Sequence, residues 1–213
     1  KQDKAVLKDL AWSPDDQKIT LELNNGNTTS IHIFDLLKQS LYKIPLNDMR
    51  NQYSPIWLAN GRQVLFSSKK DEYWQIWRAD EDGTNATLIT QQGGQKFDLS
   101  DDGKTIYFTR HGSAGIWQLP IDAPEQSPIK MTRKITTEFQ TWKYYKGQFY
   151  YLERSSAPSD KIYRYDPTSD KTIEYFYSGR PFNYFDVHDD LVNIAEIKDF
   201  AGDIYLMEFN PSL

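Results

Sequence analysis

The sequence contains no cysteine and no apolar stretch long enough to cross a membrane. The absence of cysteine excludes disulfide bonds, thiolate catalysis and cysteine-ligated metal sites. A transmembrane helix needs about 18 or more consecutive apolar residues, so we expect no membrane-spanning segment within this chain. The chain also lacks an excess of basic residues, since 25 Lys and Arg stand against 30 Asp and Glu. We therefore expect no direct contact with nucleic acid, which proteins bind through clustered positive charge.

Helical periodicity is equally scarce. No convincing segment repeats its apolar residues at the 3.6-residue period of an amphipathic helix. Aromatic residues are abundant instead, with 6 Trp, 14 Tyr and 11 Phe among 213 residues. They stand in short runs with β-branched residues, separated by polar turns, a pattern typical of β-strands. The sequence therefore predicts an all-β protein with a large aromatic core.

One acidic cluster, between Asp80 and Asn85, has the composition of a calcium-binding loop. In an EF-hand register with Gly83 at position 6, however, Arg78 takes the place of the first ligand and Ile89 that of the closing Glu. The Asp-Gly pair is instead typical of a hairpin turn, because glycine readily adopts positive φ. The sequence predicts a turn between two strands here.

A repeat runs along the whole chain. An apolar anchor followed by a polar turn and a second apolar run recurs every 42 to 45 residues. The anchors are Trp12, Trp57, Leu99, Trp142 and Phe185. A second marker, an isoleucine followed by an aromatic or other large residue, recurs at Ile31, Ile76, Ile116, Ile162 and Ile204. Two markers that keep nearly the same period indicate a structural repeat.

Each repeat reads as four short strands, which we call a to d. A period of this length with four strands is the signature of a β-propeller blade. We therefore predict a single β-propeller domain of five four-stranded blades, the last incomplete because it lacks strand d. The predicted blades span residues 1–52, 53–95, 96–137, 138–181 and 182–213. Either the first residues close a five-bladed ring, or the chain is part of a larger propeller whose open edge promotes self-association.

The second blade, SPIWLANGRQVLFSSKKDEYWQIWRADEDGTNATLIT, resembles the TolB-type (WD40-like, PD40) propeller repeat. WSPDDQK at Trp12 and LSDDGK at Leu99 match the first part of that repeat, whereas the fourth and fifth copies lack its turn. The resemblance extends over residues 6–208. The resemblance implies a β-propeller fold. One function that it implies is that of a periplasmic scaffold that binds partner proteins.

The C-terminal segment LVNIAEIKDFAGDIYLMEFN resembles the last blade of the periplasmic region of CadC-like membrane regulators, above all from Gly202 to Asn210. Those regulators carry a winged-helix DNA-binding domain and one transmembrane helix, neither of which lies in this chain. The resemblance implies a non-catalytic periplasmic sensing and protein-interaction domain that signals to a transcription regulator and meets the membrane only through that absent helix. We take this as the first functional hypothesis, with the TolB-like scaffold as the second.

Enzyme functions form the remaining alternative. A glycosidase would need paired carboxylates near the axis, and register offers Asp9, Asp98, Glu138 and Asp186. A prolyl-oligopeptidase-type enzyme would need a hydrolase domain, and no G-x-S-x-G motif is present here. The three histidines, His32, His111 and His188, fall in three different blades, so we predict no shared metal and no cofactor.

Basic and aromatic residues gather in the loops that should surround one mouth of the ring. In this architecture the b–c and d–a loops share that face. The predicted binding residues there are Lys69, Tyr73, Arg110, His111, Arg154, Arg180 and Lys198. We expect this face to attract a protein partner with an acidic segment or a small anionic ligand.

Overall fold

The computed structural model describes most of the chain. The described residues are 5–46, 49, 51–70, 73–110, 112–132, 141–154, 160–179, 182, 184–189, 191–197 and 204–209. Side chains are described for these residues except 70, 195–197 and 204–209.

Strands follow one another as five antiparallel sheets, each formed by consecutive strands. Sheet 1 contains β1 (Val6–Trp12), β2 (Lys18–Asn24), β3 (Thr29–Asp35) and β4 (Ser40–Lys43). Sheet 2 contains β5 (Gln52–Trp57), β6 (Gln63–Lys70), β7 (Tyr73–Asp80) and β8 (Thr87–Leu88). Sheet 3 contains β9 (Phe97–Leu99), β10 (Thr105–Arg110), β11 (Ser113–Pro120) and β12 (Ile129–Thr132). Sheet 4 contains β13 (Trp142–Tyr145), β14 (Gln148–Arg154), β15 (Asp160–Asp166) and β16 (Lys171–Tyr177). Sheet 5 contains β17 (Tyr184–His188), β18 (Leu191–Ile197) and β19 (Ile204–Phe209).

The core lies between the sheets, in four successive apolar layers. We call the side of a sheet that meets the preceding sheet its back face and the other side its front face. Because side chains alternate along a strand, neighbouring residues enter different layers: Phe66 packs on sheet 1 and Leu65 packs on sheet 3. This double burial explains the continuous apolar runs in the second strands of sheets 2, 3 and 4, whereas β2 of sheet 1 alternates between apolar and polar residues.

The isoleucine marker has a clear structural role. Ile31, Ile76, Ile116 and Ile162 are fully buried, and each lies in the third strand of its sheet. Each belongs to the layer that its front face forms with the following sheet. A β-branched side chain is stiff and suits such a packed pleated surface.

The turn between the first and second strands explains the S-x-D part of the repeat. In sheet 1 the Ser13 hydroxyl donates to Asp15 at 2.6 Å and accepts the Lys18 backbone N–H at 2.9 Å. Ser100 makes the same two bonds in sheet 3, to Asp102 at 2.6 Å and from Thr105 at 3.0 Å. The motif is therefore a hydrogen-bonded turn and not a ligand site.

In sheets 4 and 5 the anchor residue predicted from the sequence is wrong by two positions. Trp12 and Trp57 stand opposite Ile19 and Val64, at the position that Tyr144 holds in sheet 4. Trp142 lies two residues earlier in the strand, and Phe185 likewise precedes Val187. The reason is a shorter turn, since Lys146 and Gly147 close a tight hairpin where the first three sheets use longer turns. Those longer turns are built on serine in sheets 1 and 3 and on Asn60 in sheet 2.

The acidic cluster is a turn, as predicted. It connects β7 and β8, and both Gly83 and Asn85 have positive φ there. Asp80 accepts hydrogen bonds from Asn85 at 2.7 Å and Gln63 at 2.8 Å, which lower its pKa. Its carboxylate thus serves the turn itself.

The all-β prediction is confirmed. Four sheets have four strands and the fifth has three, and no α-helix occurs in the described parts of the chain. No helix long and apolar enough for a membrane crossing exists among those residues. The back face of sheet 1 leaves Leu10 and Trp12 about half exposed. The predicted self-association stays a prediction.

We expect Phe108→Ala to lower the free energy of unfolding by about 3–5 kcal/mol, because truncating a buried aromatic ring leaves a cavity. Phe108 is fully buried between sheets 2 and 3, whereas Leu37, the control, is 77% exposed. Leu37→Ala should change stability by less than about 0.5 kcal/mol. Urea unfolding followed by tryptophan fluorescence measures both variants. Equally small effects would contradict the layered packing.

Candidate functional site: the charged axis and the ring-face loops

The first strand of each sheet lies innermost and carries polar side chains toward a common axis. Asp98, Lys143 and Asp186 hold the same register position in sheets 3, 4 and 5, opposite Tyr107, Tyr150 and Asn193. Their neighbours along each strand point into the layers between sheets, so the alternation of the strand turns these three toward the axis.

Lys143 links three sheets at the axis. Its Nζ lies 3.7 Å from Asp98 Oδ2 and 3.6 Å from Asp186 Oδ1. The Asp98 carboxylate raises the pKa of Lys143, and Asp186 and Asp9 add to the effect. Lys143 therefore stays protonated and bridges the inner strands of sheets 3, 4 and 5.

The Asp98 carboxylate makes an ion pair with Lys143 and accepts two backbone hydrogen bonds. It is buried and accepts the backbone N–H groups of Leu99 at 2.9 Å and Tyr144 at 3.0 Å. A buried carboxylate needs such partners, because an unpaired buried charge is costly. The geometry gives Asp98 a structural role in joining sheets 3 and 4.

Asp9 and Glu22 form the second carboxylate group near the axis, on adjacent strands of sheet 1. Glu22 is buried and accepts the Ser54 N–H at 2.8 Å. A bulge in β5 frees that N–H from the strand ladder. Burial raises the pKa of the Glu22 carboxyl, and Asp9 raises it further. Desolvation by the surrounding protein also raises the pKa of Asp9, although that residue keeps an exposed surface. Lys96 and Lys143 pull the pKa of Asp9 downward by a smaller amount.

Three of the four carboxylates that the sequence proposed for a glycosidase site therefore lie near one another in the structure. Asp9, Asp98 and Asp186 all contribute to the electrostatics around Lys143, and Glu138 lies outside the described residues. The Lys143 ammonium group pairs with Asp98 and Asp186 and offsets part of the negative charge. What this arrangement does chemically is to hold the inner strands together.

Four of the predicted ring-face residues are described. Lys69, Arg110 and Arg154 lie at or next to the last residue of a second strand, and Tyr73 is the first residue of a third strand. Lys69 is exposed at the end of β6, and Tyr73, 41% exposed, opens β7. Trp74 stands opposite Lys69 across this hairpin, and its ring meets Tyr53 edge-on at 5.0 Å. His111, Arg180 and Lys198 lie outside the described residues.

The two described arginines of that set differ in their surroundings. Arg110 lies 4.6 Å from the Trp117 ring centroid and donates to Gln92 Oε1 at 3.3 Å. Arg154 instead pairs with Asp160 at 3.3 Å, a carboxylate that is buried. The sequence analysis missed Gln92, Trp117 and Asp160, although Asp160 stands directly opposite Arg154 in the hairpin.

Metal ligands do not converge in the described structure. His32 lies half-buried in β3, and His188 ends β17 beside Asp189 at 3.3 Å. Within the described ranges no group of three or more His, Asp or Glu residues is arranged to hold a metal ion.

Comparison with known proteins gives structural matches only. No protein-family model matches the chain. No curated protein matches its sequence. TolB from Acinetobacter baumannii superposes with a TM-score of 0.72 at 17% sequence identity, covering 97% of this chain and 52% of that one. The chain has a TolB-like β-propeller fold.

A TolB-type protein from Agrobacterium tumefaciens gives a TM-score of 0.73 at 15% identity, covering 97% of this chain and 77% of that one. A prolyl endopeptidase gives 0.59 at 15% identity, and the match covers 90% of this chain but 32% of that enzyme. The TolB-like chain thus spans about half the length of the first TolB and a third of the peptidase. At these identities the likeness shows the fold and not the activity.

We expect Asp9→Asn to stabilise the protein slightly at pH 7. The residue keeps an exposed surface, but the surrounding protein desolvates its carboxylate and raises its folded pKa. A carboxyl that binds its proton more tightly when folded destabilises the fold once ionised, and this cost disappears as pH falls below the unfolded value of about 3.9. The gain should therefore shrink as pH falls through the raised pKa. Urea titrations at several pH values measure it.

Asp102→Asn is the control, for which we expect the opposite change in stability. The Ser100 hydroxyl lowers the pKa of Asp102, so its ionised form stabilises the fold above the unfolded pKa and this contribution is lost as pH falls. This variant should lose stability at pH 7 and match the parent in acid. A pH-independent effect of Asp9→Asn would contradict the described environment.

Proposed function

We propose that this chain is a non-catalytic, TolB-like scaffold that binds a partner protein in the periplasm through its ring-face loops. The proposal rests on the difference between the paired charges at the axis and the exposed side chains at the ring face. At the axis Lys143 pairs with both Asp98 and Asp186. At the ring face, Lys69 and Tyr73 are exposed on a hairpin held by packed sheets. Rigid exposed aromatic and cationic side chains are suited to protein recognition.

Charge distribution favours an acidic partner segment. The chain as a whole carries a net charge of −5, yet Lys69 and Arg110 both end strands that run to the ring face. Neither forms an ion pair with a carboxylate in the described parts of the chain. A local basic patch on an acidic protein steers an acidic segment to that patch and orients it there.

A second candidate function is the sensing domain of a CadC-like membrane-bound transcription regulator. The observation that favours it is the segment from Gly202 to Asn210, which resembles the last periplasmic strand of those regulators. In that role the same ring face would receive the stimulus, and a membrane helix outside this chain would carry the signal to a DNA-binding domain. Both candidates therefore assign partner or ligand contact to the same face.

An enzymatic role has weaker support. The prolyl endopeptidase match covers 32% of that enzyme, and this chain has no G-x-S-x-G motif of its own. The carboxylates that could cleave a sugar surround Lys143, and Asp98 already accepts two backbone N–H groups. These contacts favour a binding role over catalysis.

We expect Lys69→Glu combined with Tyr73→Ala to abolish capture of the partner, because the change inverts the charge and removes the aromatic contact at the ring face. Immobilised chain would be exposed to periplasmic extract, and captured proteins compared by quantitative mass spectrometry. A protein retained by the parent chain should fall by about tenfold or more with the double variant.

Ile173→Ser provides the control. Ile173 is 44% exposed on β16, the last strand of sheet 4, far along the sheet from the inner strands. This variant should capture the same partner as the parent. If the double variant captures that protein as well as the parent does, while circular dichroism shows both folded, the ring-face proposal is wrong.

A further inference from the structure

A surface groove lies between sheets 2 and 3, next to Arg110. Its volume is about 270 Å³. One wall is the segment 89–92 that leaves sheet 2, and the other is Arg110, Leu119 and the loop 124–128 of sheet 3. Gln91, Gln92 and Gln126 are exposed along it, so its lining offers amide groups beside one guanidinium.

The Arg110 guanidinium is held in a defined position. It stacks over the Trp117 ring at 4.6 Å from the centroid, and Lys130 Nζ lies 5.0 Å from the same centroid. A cation over an indole ring gains electrostatic attraction and loses side-chain freedom. The hydrogen bond to Gln92 Oε1 at 3.3 Å fixes the guanidinium further. Two positive charges therefore flank one aromatic ring beside the groove.

Arg110 makes no ion pair within the described residues, in contrast to Arg154. Both arginines end the second strand of their sheet. Arg154 stands opposite Asp160, which also accepts the Phe182 N–H at 3.2 Å. Arg110 stands opposite Ser113. Arg110 lies on the face of β10 that carries Phe108, whereas Arg154 lies on the opposite face of β14, the one that carries Leu152. Of the two, Arg110 is the one whose charge has no carboxylate partner within the described residues.

The segment that carries Gln92 is rigid. Gly93 has a φ of +101°, and a Cβ there would lie 2.6 Å from the Thr109 carbonyl oxygen. Its N–H donates to the Trp74 carbonyl at 3.0 Å, and the Gly94 N–H donates to the Thr109 carbonyl at 2.9 Å. The Ser67 hydroxyl donates to the Gly94 carbonyl. These bonds fix the segment between sheets 2 and 3, so the groove wall exists before any ligand arrives.

We propose that this groove binds a carboxylate side chain of an acidic peptide segment, with Arg110 as its charged partner and the neighbouring glutamine amides as further donors. The planar guanidinium matches a carboxylate and can donate two parallel hydrogen bonds to it. Glu125 also lines the groove and is exposed; its like charge limits where the peptide carboxylate can sit. The inference rests on the proposed partner-binding function and names the chemistry that one of its contacts recognises.

A fluorescein-labelled hexaglutamate peptide provides the probe, with fluorescence anisotropy at low ionic strength as the measurement. Arg110→Ala should weaken binding by about tenfold or more, because a hydrogen bond between two charged groups is lost. Arg110→Lys should fall between this variant and the parent, since lysine keeps the charge but not the planar fork. Glu125→Gln should tighten binding, because it removes the like charge.

Arg154→Ala is the comparison at an arginine that is already paired with a carboxylate. Arg62→Ala is a second control, in the turn between β5 and β6 at the other end of the strands from the ring face. Both should bind the peptide within about twofold of the parent, although Arg154→Ala leaves Asp160 without its cation and should lower stability. Thermal melting confirms that each variant is folded at the assay temperature. The inference is overturned if Arg110→Ala binds the peptide as tightly as the parent, or if Arg154→Ala loses as much affinity as Arg110→Ala. It is also overturned if phosphate displaces the peptide at concentrations where acetate has no effect.

The two proposals fail separately. If the peptide binds independently of Arg110 while Lys69→Glu with Tyr73→Ala still abolishes partner capture, the groove inference fails and the scaffold function stands. If no partner is captured while peptide binding depends on Arg110, the groove binds carboxylates and the scaffold function fails.

Discussion

The packing of each sheet's apolar face against its neighbour is the constraint on which the rest of the structure depends. A four-stranded sheet of this size cannot bury both of its faces alone. The fully buried isoleucines of the third strands, such as Ile76 and Ile116, enter the layer shared with the following sheet. Because every sheet repeats this contact in the same sense, the sheets succeed one another around an axis and their first strands converge there.

Convergence of the first strands creates an electrostatic problem that the inner side chains resolve. Asp98, Lys143 and Asp186 occupy equivalent positions in three sheets, and their charges alternate in sign. Three carboxylates there would repel one another in a partly desolvated space. With Lys143 between the two aspartates, the axial charges instead join the inner strands of sheets 3, 4 and 5.

The ring-face end of the sheets carries two arginines with different surroundings. Arg110 lies on the face of β10 that packs on sheet 2, and Arg154 lies on the face of β14 that packs on sheet 5, opposite Asp160 in the hairpin. In sheet 4 the buried Asp160 uses the arginine to satisfy its own charge. In sheet 3 the guanidinium stacks on Trp117 and lines a groove instead.

The sequence by itself determined the all-β class, the repeat and the four-strand unit, because strand alternation and turn chemistry are local and recur along the chain. The alignment of the first strands between repeats was not determined by the sequence. Trp142 resembles the other anchors, but the shorter turn at Lys146 places Tyr144 at the position equivalent to Trp12 and Trp57. The meeting of Lys143 with Asp98 and of Ser54 with Glu22 was decided by the tertiary structure. These contacts join different sheets, and no local pattern encodes which charges meet across an axis.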